Sequence, residues 1–174
     1  MEKKAQVWVE TVIYTLIAFV LIGTVLAFVR PKIEEFQDKA ILEQTIVALE
    51  DINTIILSIV QGGPGNRRLI ELGIQEGTLR IDSENDKIFF EMESRYTYSE
   101  PGATIEIGNT KIETKTQGDI SLVTITLDYS SKHNITYQDQ EILKIINKAT
   151  TPYRLSFSNN GKQNTKTQID IEIL

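Results

Sequence analysis

The sequence predicts an α+β protein, with a long N-terminal hydrophobic helix followed by an antiparallel β-sheet or sandwich domain. Three observations support this prediction. An uncharged apolar run lies near the N-terminus, apolar residues at helical spacing follow it, and the spacing changes to the alternation of strands after residue 66. The length of 174 residues suffices for one core domain in addition to the helix.

The composition argues against several classes of function. The formal net charge is −6 and no Lys/Arg cluster exceeds a pair, so we expect no nucleic-acid partner. The absence of cysteine excludes a disulfide framework, a thiolate nucleophile and thiolate metal sites. No motif of a metalloprotease or a phosphate-binding loop is present. We therefore expect no catalytic residue, no metal site and no cofactor.

The first element is the apolar run from Val12 to Val29, which contains no charged residue. As a helix it would be about 27 Å long, close to the roughly 30 Å of a bilayer core. We expect a transmembrane helix over residues 6–30. Lys3 and Lys4 precede it and favour a cytoplasmic N-terminus, which would place the remaining chain outside the cell membrane.

The second element, residues 31–61, continues the helix in amphipathic form. Apolar or small residues recur at steps of four and three, with a further apolar row beside them. The first row is Ile41, Thr45, Ala48, Ile52, Ile55 and Ile59, and beside it Leu42, Ile46, Leu49, Ile56 and Val60 complete one broad apolar face. We expect a kink near Pro31, where a backbone donor is missing. The sequence GGPG predicts a turn over residues 62–66 that ends the helix.

The third element, residues 67–174, is predicted to be an extracytoplasmic β domain. Seven segments alternate as strands do. They are Arg68–Leu72, Thr78–Asp82, Lys87–Met92, Thr104–Ile107, Thr110–Glu113, Ser121–Leu127 and Gln168–Ile173. The segment Glu141–Lys148 fits a short helix or a strand, and strand is slightly favoured. Tyr153–Phe157 is expected to pair with the last strand across a polar loop, Asn159–Lys166.

Two residues near the middle of this domain, His133 and Asn134, carry side chains that could serve as sites. His133 lies in the polar sequence SSKHN and is interpreted as an exposed loop histidine. Asn134 begins the N-glycosylation pattern Asn-Ile-Thr in the same loop, which makes it a candidate acceptor. Acids that alternate with Ile, as in IDIEIL, are expected on the solvated face of the sheet.

Residues 3–10, KKAQVWVE, contain a basic pair and a small residue, then Gln6 and Glu10 ahead of the apolar run. This arrangement resembles the class III signal peptide of archaeal type IV pilin-like proteins. In that family a basic pair and a small residue precede the pattern QxSxExxxL. Trp8 stands where the pattern has Ser, and Tyr14 stands where it has Leu.

The resemblance implies processing and assembly. A prepilin peptidase would cut between Ala5 and Gln6, which makes residues 1–5 a leader peptide. The mature helix would be stored in the membrane and then pack against other copies or other pilin subunits in a cell-surface filament. Glu10 would pair with the new α-amino group of Gln6 on a neighbouring subunit.

A second interpretation remains open. The chain would be an uncleaved bitopic protein, anchored by the same helix, with an extracellular β-sandwich that works as a binding or sensor module. Glu10 would then be an interfacial acid solvated by lipid headgroups. In either case the membrane is a partner.

Overall fold

The computed structural model describes residues 2–118, 120–163 and 165–174, with side chains from Val7 onward. Its first element, helix α1, spans Glu2–Gly62. The chain divides into two units, residues 1–37 and residues 38–174, and each is described by itself.

The unit of residues 1–37 is helical. All described side chains from Val7 to Ile33 are exposed. Pro31 lies inside α1 without a break in the helical assignment, and a kink there stays a prediction. At its C-terminal end, Arg30 pairs with Glu34 at 3.3 Å.

In the unit of residues 38–174, the final turns of α1 bury one face. The residues that are at least 94% buried recur at helical spacing, and they are Leu42, Ile46, Leu49, Ile52, Ile56 and Ile59. All six belong to the broad apolar face that the sequence predicts. Ile41, Ala48, Ile55 and Val60 of the same face are partly buried against the core.

Contacts with distant residues fix the C-terminal end of α1. Gly63 has φ of 84°, a left-handed conformation that favours glycine, and its N–H donates to the Val60 carbonyl at 3.2 Å. The buried Asn159 donates from Nδ2 to the Ile59 carbonyl at 3.0 Å. The Gly65 N–H donates to the Asn159 carbonyl at 2.8 Å. One carbonyl left free by the end of the helix is thus satisfied by a side chain far along the sequence.

Within the described residues, ten strands follow the helix. Their bounds are β1 Arg67–Leu72, β2 Thr78–Asp82, β3 Lys87–Ser94, β4 Thr104–Ile107, β5 Thr110–Gln117, β6 Ile120–Asp128, β7 His133–Tyr137, β8 Leu143–Asn147, β9 Tyr153–Gln163 and β10 Lys166–Ile173. One sheet has the order β1-β9-β10-β7, and the other has the order β4-β5-β6-β3-β2-β8. The predicted fold class is confirmed. All neighbours are antiparallel except β7 and β10, which run parallel.

The structure decides two local predictions in the β domain. The ambiguous segment near residue 145 is a strand, β8, at the edge of the six-stranded sheet. The predicted loop Asn159–Lys166 was wrong, because β9 continues to Gln163 and Lys166 already pairs with it in β10. Asn159 is inside this long hairpin and is 2% exposed, so the polar sequence there serves buried hydrogen bonds.

A single hydrophobic core unites the two sheets with the buried face of α1. Alternate residues of the central strands supply it, as in β3, where Ile88, Phe90 and Met92 are at most 3% exposed. Phe157 and Ile171 contribute from the four-stranded sheet. Strand alternation in the sequence therefore corresponds directly to the core of this unit.

Candidate functional site

The N-terminal part of α1 is the most unusual surface of the protein. Its large apolar side chains between Val7 and Val29 have exposed fractions from 38% to 75%. They point in all directions around the helix, because every residue in this stretch is exposed. A helix that is apolar on all sides is stable when lipid or other protein surrounds it. This stretch belongs to the helix that, within the described residues, is long and apolar enough to cross a membrane.

The threonine hydroxyl groups in this stretch are satisfied within the helix. Thr11 donates to the Val7 carbonyl at 2.9 Å, Thr15 to the Thr11 carbonyl at 2.8 Å, and Thr24 to the Val20 carbonyl at 2.7 Å. Bonds of this kind remove the cost of placing a hydroxyl in an apolar environment. The threonines are therefore compatible with lipid or with a packed bundle.

Glu10 is the acid in this segment. Its side chain is exposed and makes no hydrogen bond or ion pair with the described residues. Ala5 and Gln6 belong to α1 by their backbone, and their side chains lie outside the described residues, as does Met1 altogether. Glu10 is thus an acid on an apolar helix, and nothing described within its own chain compensates its charge.

A band of charged residues follows the apolar stretch. Arg30 and Glu34 form one ion pair, and Lys32 and Glu35 form another at 2.6 Å. All four residues lie within two turns of helix. Such i,i+3 and i,i+4 pairs suit a helix that passes from an apolar environment into water.

The interpretation of His133 as an exposed loop residue was wrong. His133 begins β7 and is 7% exposed, its ring lies 6.0 Å from that of Tyr129, and its Nδ1 has no hydrogen-bond partner in the described structure. Burial lowers the pKa of His133 and the neighbouring Lys132 lowers it further, while Asp86 acts in the opposite direction. The sequence SSKHN is polar and therefore resembles a loop, although β7 begins within it at His133.

Asn134 also lies in β7 rather than in a loop, and it is partly buried opposite Gln168 of β10. β7 is an edge strand of its sheet. The structure thus corrects the predicted surroundings of Asn134, and its glycosylation stays a prediction.

The expectation that strand acids face solvent fails for Asp170. This residue is 2% exposed, and the Thr136 hydroxyl and the Asp139 N–H both donate to its Oδ1 at 2.7 Å. Residues Gln168 to Ile171 of β10 are all buried, so this strand is covered on both faces. Alternation in the sequence does not predict that the second face of β10 is also covered. The turn after β7 supplies that cover.

No protein-family model matches the chain, and neither a curated protein nor a solved structure resembles it significantly. The function must therefore be argued from the helix and the residues described above.

Proposed function

We propose that the protein is a pilin-like structural subunit of an archaeal type IV filament or a related surface machine. The observation that supports this most is the helix that is apolar on all sides and carries one uncompensated acid near its N-terminus. Its resemblance to pilin-like signal peptides around Ala5 and Gln6 adds to this support.

The energetics favour assembly through this helix. Covering one large apolar side chain contributes roughly 1.5–3 kcal/mol. More than a dozen such side chains are exposed between Val7 and Val29. In the membrane, lipid covers them; in a filament, the helices of neighbouring copies do. A repeated head-to-tail contact that does not close then builds a fibre.

In this mechanism, Glu10 fixes the axial position of one subunit relative to its neighbour. An unpaired acid at the centre of a bilayer costs about 2.5–3.5 kcal/mol, and less near the interface. After cleavage before Gln6, the new α-amino group of a neighbouring subunit would compensate the charge of Glu10. Only subunits at the correct axial offset make this pair, so the pair selects one arrangement.

The alternative function is a membrane-anchored binding or sensor protein. It is favoured by the same helix, which is long enough to span a bilayer without any cleavage. In that case Glu10 lies at the interface, and the β domain acts alone.

The N-terminus of the protein isolated from its own cells separates the two functions. Mass spectrometry of the first peptide is expected to give Gln6 as the first residue. A protein that retains Met1 to Ala5 throughout would support the anchored alternative. The variant Ala5→Lys should accumulate uncut, because it places a long charged side chain before the cleaved bond; normal maturation would refute the proposed cleavage position.

A second experiment addresses Glu10. We expect Glu10→Ala to reach the membrane normally and to reduce the yield of sheared filaments at least tenfold. Glu84→Ala, which changes an exposed acid in the turn before β3, is the matched control and should assemble normally. Unchanged filament yield in Glu10→Ala would remove Glu10 from the assembly mechanism.

A further inference from the structure

Strand β8 forms one edge of the six-stranded sheet, and its exposed side chains are mainly apolar. Leu143 is 48% exposed and Ile145 is 45% exposed, and Ile142, just before the strand, is 39% exposed. Leu143 and Ile145 share one face of the sheet, because they alternate with Ile146, which is buried in the core. β8 therefore combines an open edge with an exposed apolar face.

The other three sheet edges have features that hinder pairing with a further strand. β1 bears two arginines and a glutamate, all exposed, and β4 is only four residues long. β7 buries four of its five residues. Charge, shortness and cover are the usual protections of an edge strand. β8 carries one charged side chain, Lys144, on the face opposite to Leu143, and its ammonium group lies 5.2 Å from the centre of the Tyr137 ring.

The main-chain groups on the open side of β8 belong to alternate residues. The N–H of Ser83, just after β2, donates to the Ile142 carbonyl at 3.3 Å, so Ile142 directs its main-chain groups towards β2. Hydrogen-bonded positions alternate along an antiparallel pair. The N–H and C=O groups of Leu143, Ile145 and Asn147 therefore point away from β2, where no strand of the described residues pairs with them. An added strand is the structure that satisfies such a row of donors and acceptors.

We propose that β8 pairs with β8 of a second copy of this chain, antiparallel and centred on Ile145. Complete overlap of a five-residue strand with itself is centred on its middle residue, which in β8 is Ile145. The main-chain groups of Ile145 also point outward, so the two Ile145 residues can exchange N–H and C=O groups. The Leu143 carbonyl of each copy then accepts from the Asn147 N–H of the other.

The side chains of β8 favour this register. With the centre at Ile145, the two Ile145 side chains face each other, Leu143 lies diagonally beside them, and Lys144 lies opposite Ile146 of the other copy. Apolar pairs of this kind stabilise neighbouring strands. A centre one residue earlier would place Lys144 directly opposite Lys144 of the other copy, and like charges in that position are destabilising. The strand is thus complementary to itself in one register, as a two-fold contact between identical chains requires.

The size of the contact also points to a second copy. A five-residue strand makes a small interface, so its partner must be present at high local concentration. Both functions proposed above supply this for another copy, because the exposed apolar stretch from Val7 to Val29 would confine all copies to one membrane or one filament. The pairing uses β8 alone and needs no cleavage before Gln6, so its failure would leave the filament proposal intact.

The first test uses single cysteines in the full chain, reconstituted in lipid vesicles. The sequence has no cysteine of its own. Ile145→Cys should form a disulfide-linked dimer under mild oxidation with copper–phenanthroline, because Cα atoms of a hydrogen-bonded pair lie about 5.5 Å apart, within reach of a disulfide. Leu69→Cys on edge strand β1 is the control. Leu69 is more exposed, at 56%, yet its variant should cross-link at least tenfold more slowly. Equal rates would overturn the proposal.

A mixture of two variants tests the register. Leu143→Cys and Asn147→Cys chains, one of them carrying an affinity tag that changes its mass, are reconstituted together and oxidised. Leu143 of one copy faces Asn147 of the other, whereas two identical residues lie four strand positions apart, about 13 Å, which is too far for a disulfide. The mixed dimer should exceed either homodimer at least tenfold. Homodimers as abundant as the mixed dimer would refute the pairing.

Proline at the centre of the contact tests the main-chain bonds. Ile145→Pro, added to both chains of the mixture, removes an N–H that points away from β2, and an edge strand tolerates proline at such a position. Residues 38–174 should stay protease-resistant, while the mixed cross-link should fall at least tenfold. Ile145→Thr keeps the N–H and should retain the cross-link within threefold. Retention in Ile145→Pro, or equal loss in both variants, would contradict pairing through the main chain.

Discussion

Helix α1 contains two stretches of similar apolar character that meet different surroundings. From Val7 to Val29 every side chain is exposed. From Leu42 to Ile59 the apolar residues share one face, which is buried in the core of the second unit. The difference lies in the arrangement of polar residues: acids and amides interrupt the later stretch on its outer side, whereas Glu10 is the sole charged residue in the earlier one. The apolar face of the later stretch is therefore covered by its own chain, whereas the apolar side chains of the earlier stretch need lipid or neighbouring protein to cover them.

The largest effect should come from placing an acid in each stretch. Leu49→Asp buries an unpaired carboxylate at a residue that is 1% exposed, which should cost more than about 4 kcal/mol and prevent the second unit from folding. Limited proteolysis of membranes containing this variant should degrade residues 38–174.

The matched variant is Leu21→Asp, at a residue that is 61% exposed. It should weaken membrane insertion by roughly 2.5–3.5 kcal/mol and leave the protease resistance of the second unit unchanged. If both variants were degraded alike, the two stretches would not differ as the structure indicates.

An intermediate effect is expected where the later stretch ends. Asn159→Ala removes the donor to the Ile59 carbonyl and the acceptor of the Gly161 N–H, which it binds at 2.9 Å. Each buried group left unpaired costs about 1–3 kcal/mol. Urea unfolding should show a loss of this size.

Asn147→Ala, on the exposed edge strand β8, is the control for this variant and should stay within about 0.5 kcal/mol of the wild type. A loss no larger in Asn159→Ala than in Asn147→Ala would mean that the capping bonds contribute little.

The smallest effect concerns pH and His133. Burial lowers the pKa of His133 in the folded protein, so the unfolded chain binds a proton first as the pH falls below about 6.5. Stability should then decrease towards lower pH by at most about 1.4 kcal/mol per pH unit, and it should be fully restored above the unfolded pKa.

Urea unfolding between about pH 5 and 8 measures this dependence. His133→Phe keeps a ring against Tyr129 and should show a flatter profile over the same range. Identical profiles for the two proteins would assign the pH dependence to other groups.

Local sequence patterns predicted most of the fold. Alternation located strands such as β2 and β4 with the bounds that the structure has, and GGPG stands where α1 gives way to β1. The prediction of a loop at Asn159, Asn160 and Gly161 was wrong, because the same residue types that form turns also serve as buried hydrogen-bonding groups.

The candidate sites likewise divide into residues that local sequence patterns indicated and residues whose surroundings they did not predict. Glu10 and Pro31 stand out in the sequence because a charge or a proline is anomalous in an apolar helix, and the assembly role of Glu10 and the kink at Pro31 stay predictions. His133 and Asp170 were misread because their burial is created by residues far along the chain, and the parallel pairing of β7 with β10 has no local signal.

The bond from Asn159 to the Ile59 carbonyl joins residues 100 positions apart, and β1 likewise pairs with β9. During synthesis, β1, the first strand of the second unit, therefore has no neighbouring strand until β9 has been made. Throughout that interval, the apolar face from Leu42 to Ile59 is not yet covered by the later strands. Contacts so distant in sequence form slowly. The growing chain is thus most exposed to misassembly before it is complete, at the stage when chaperones act.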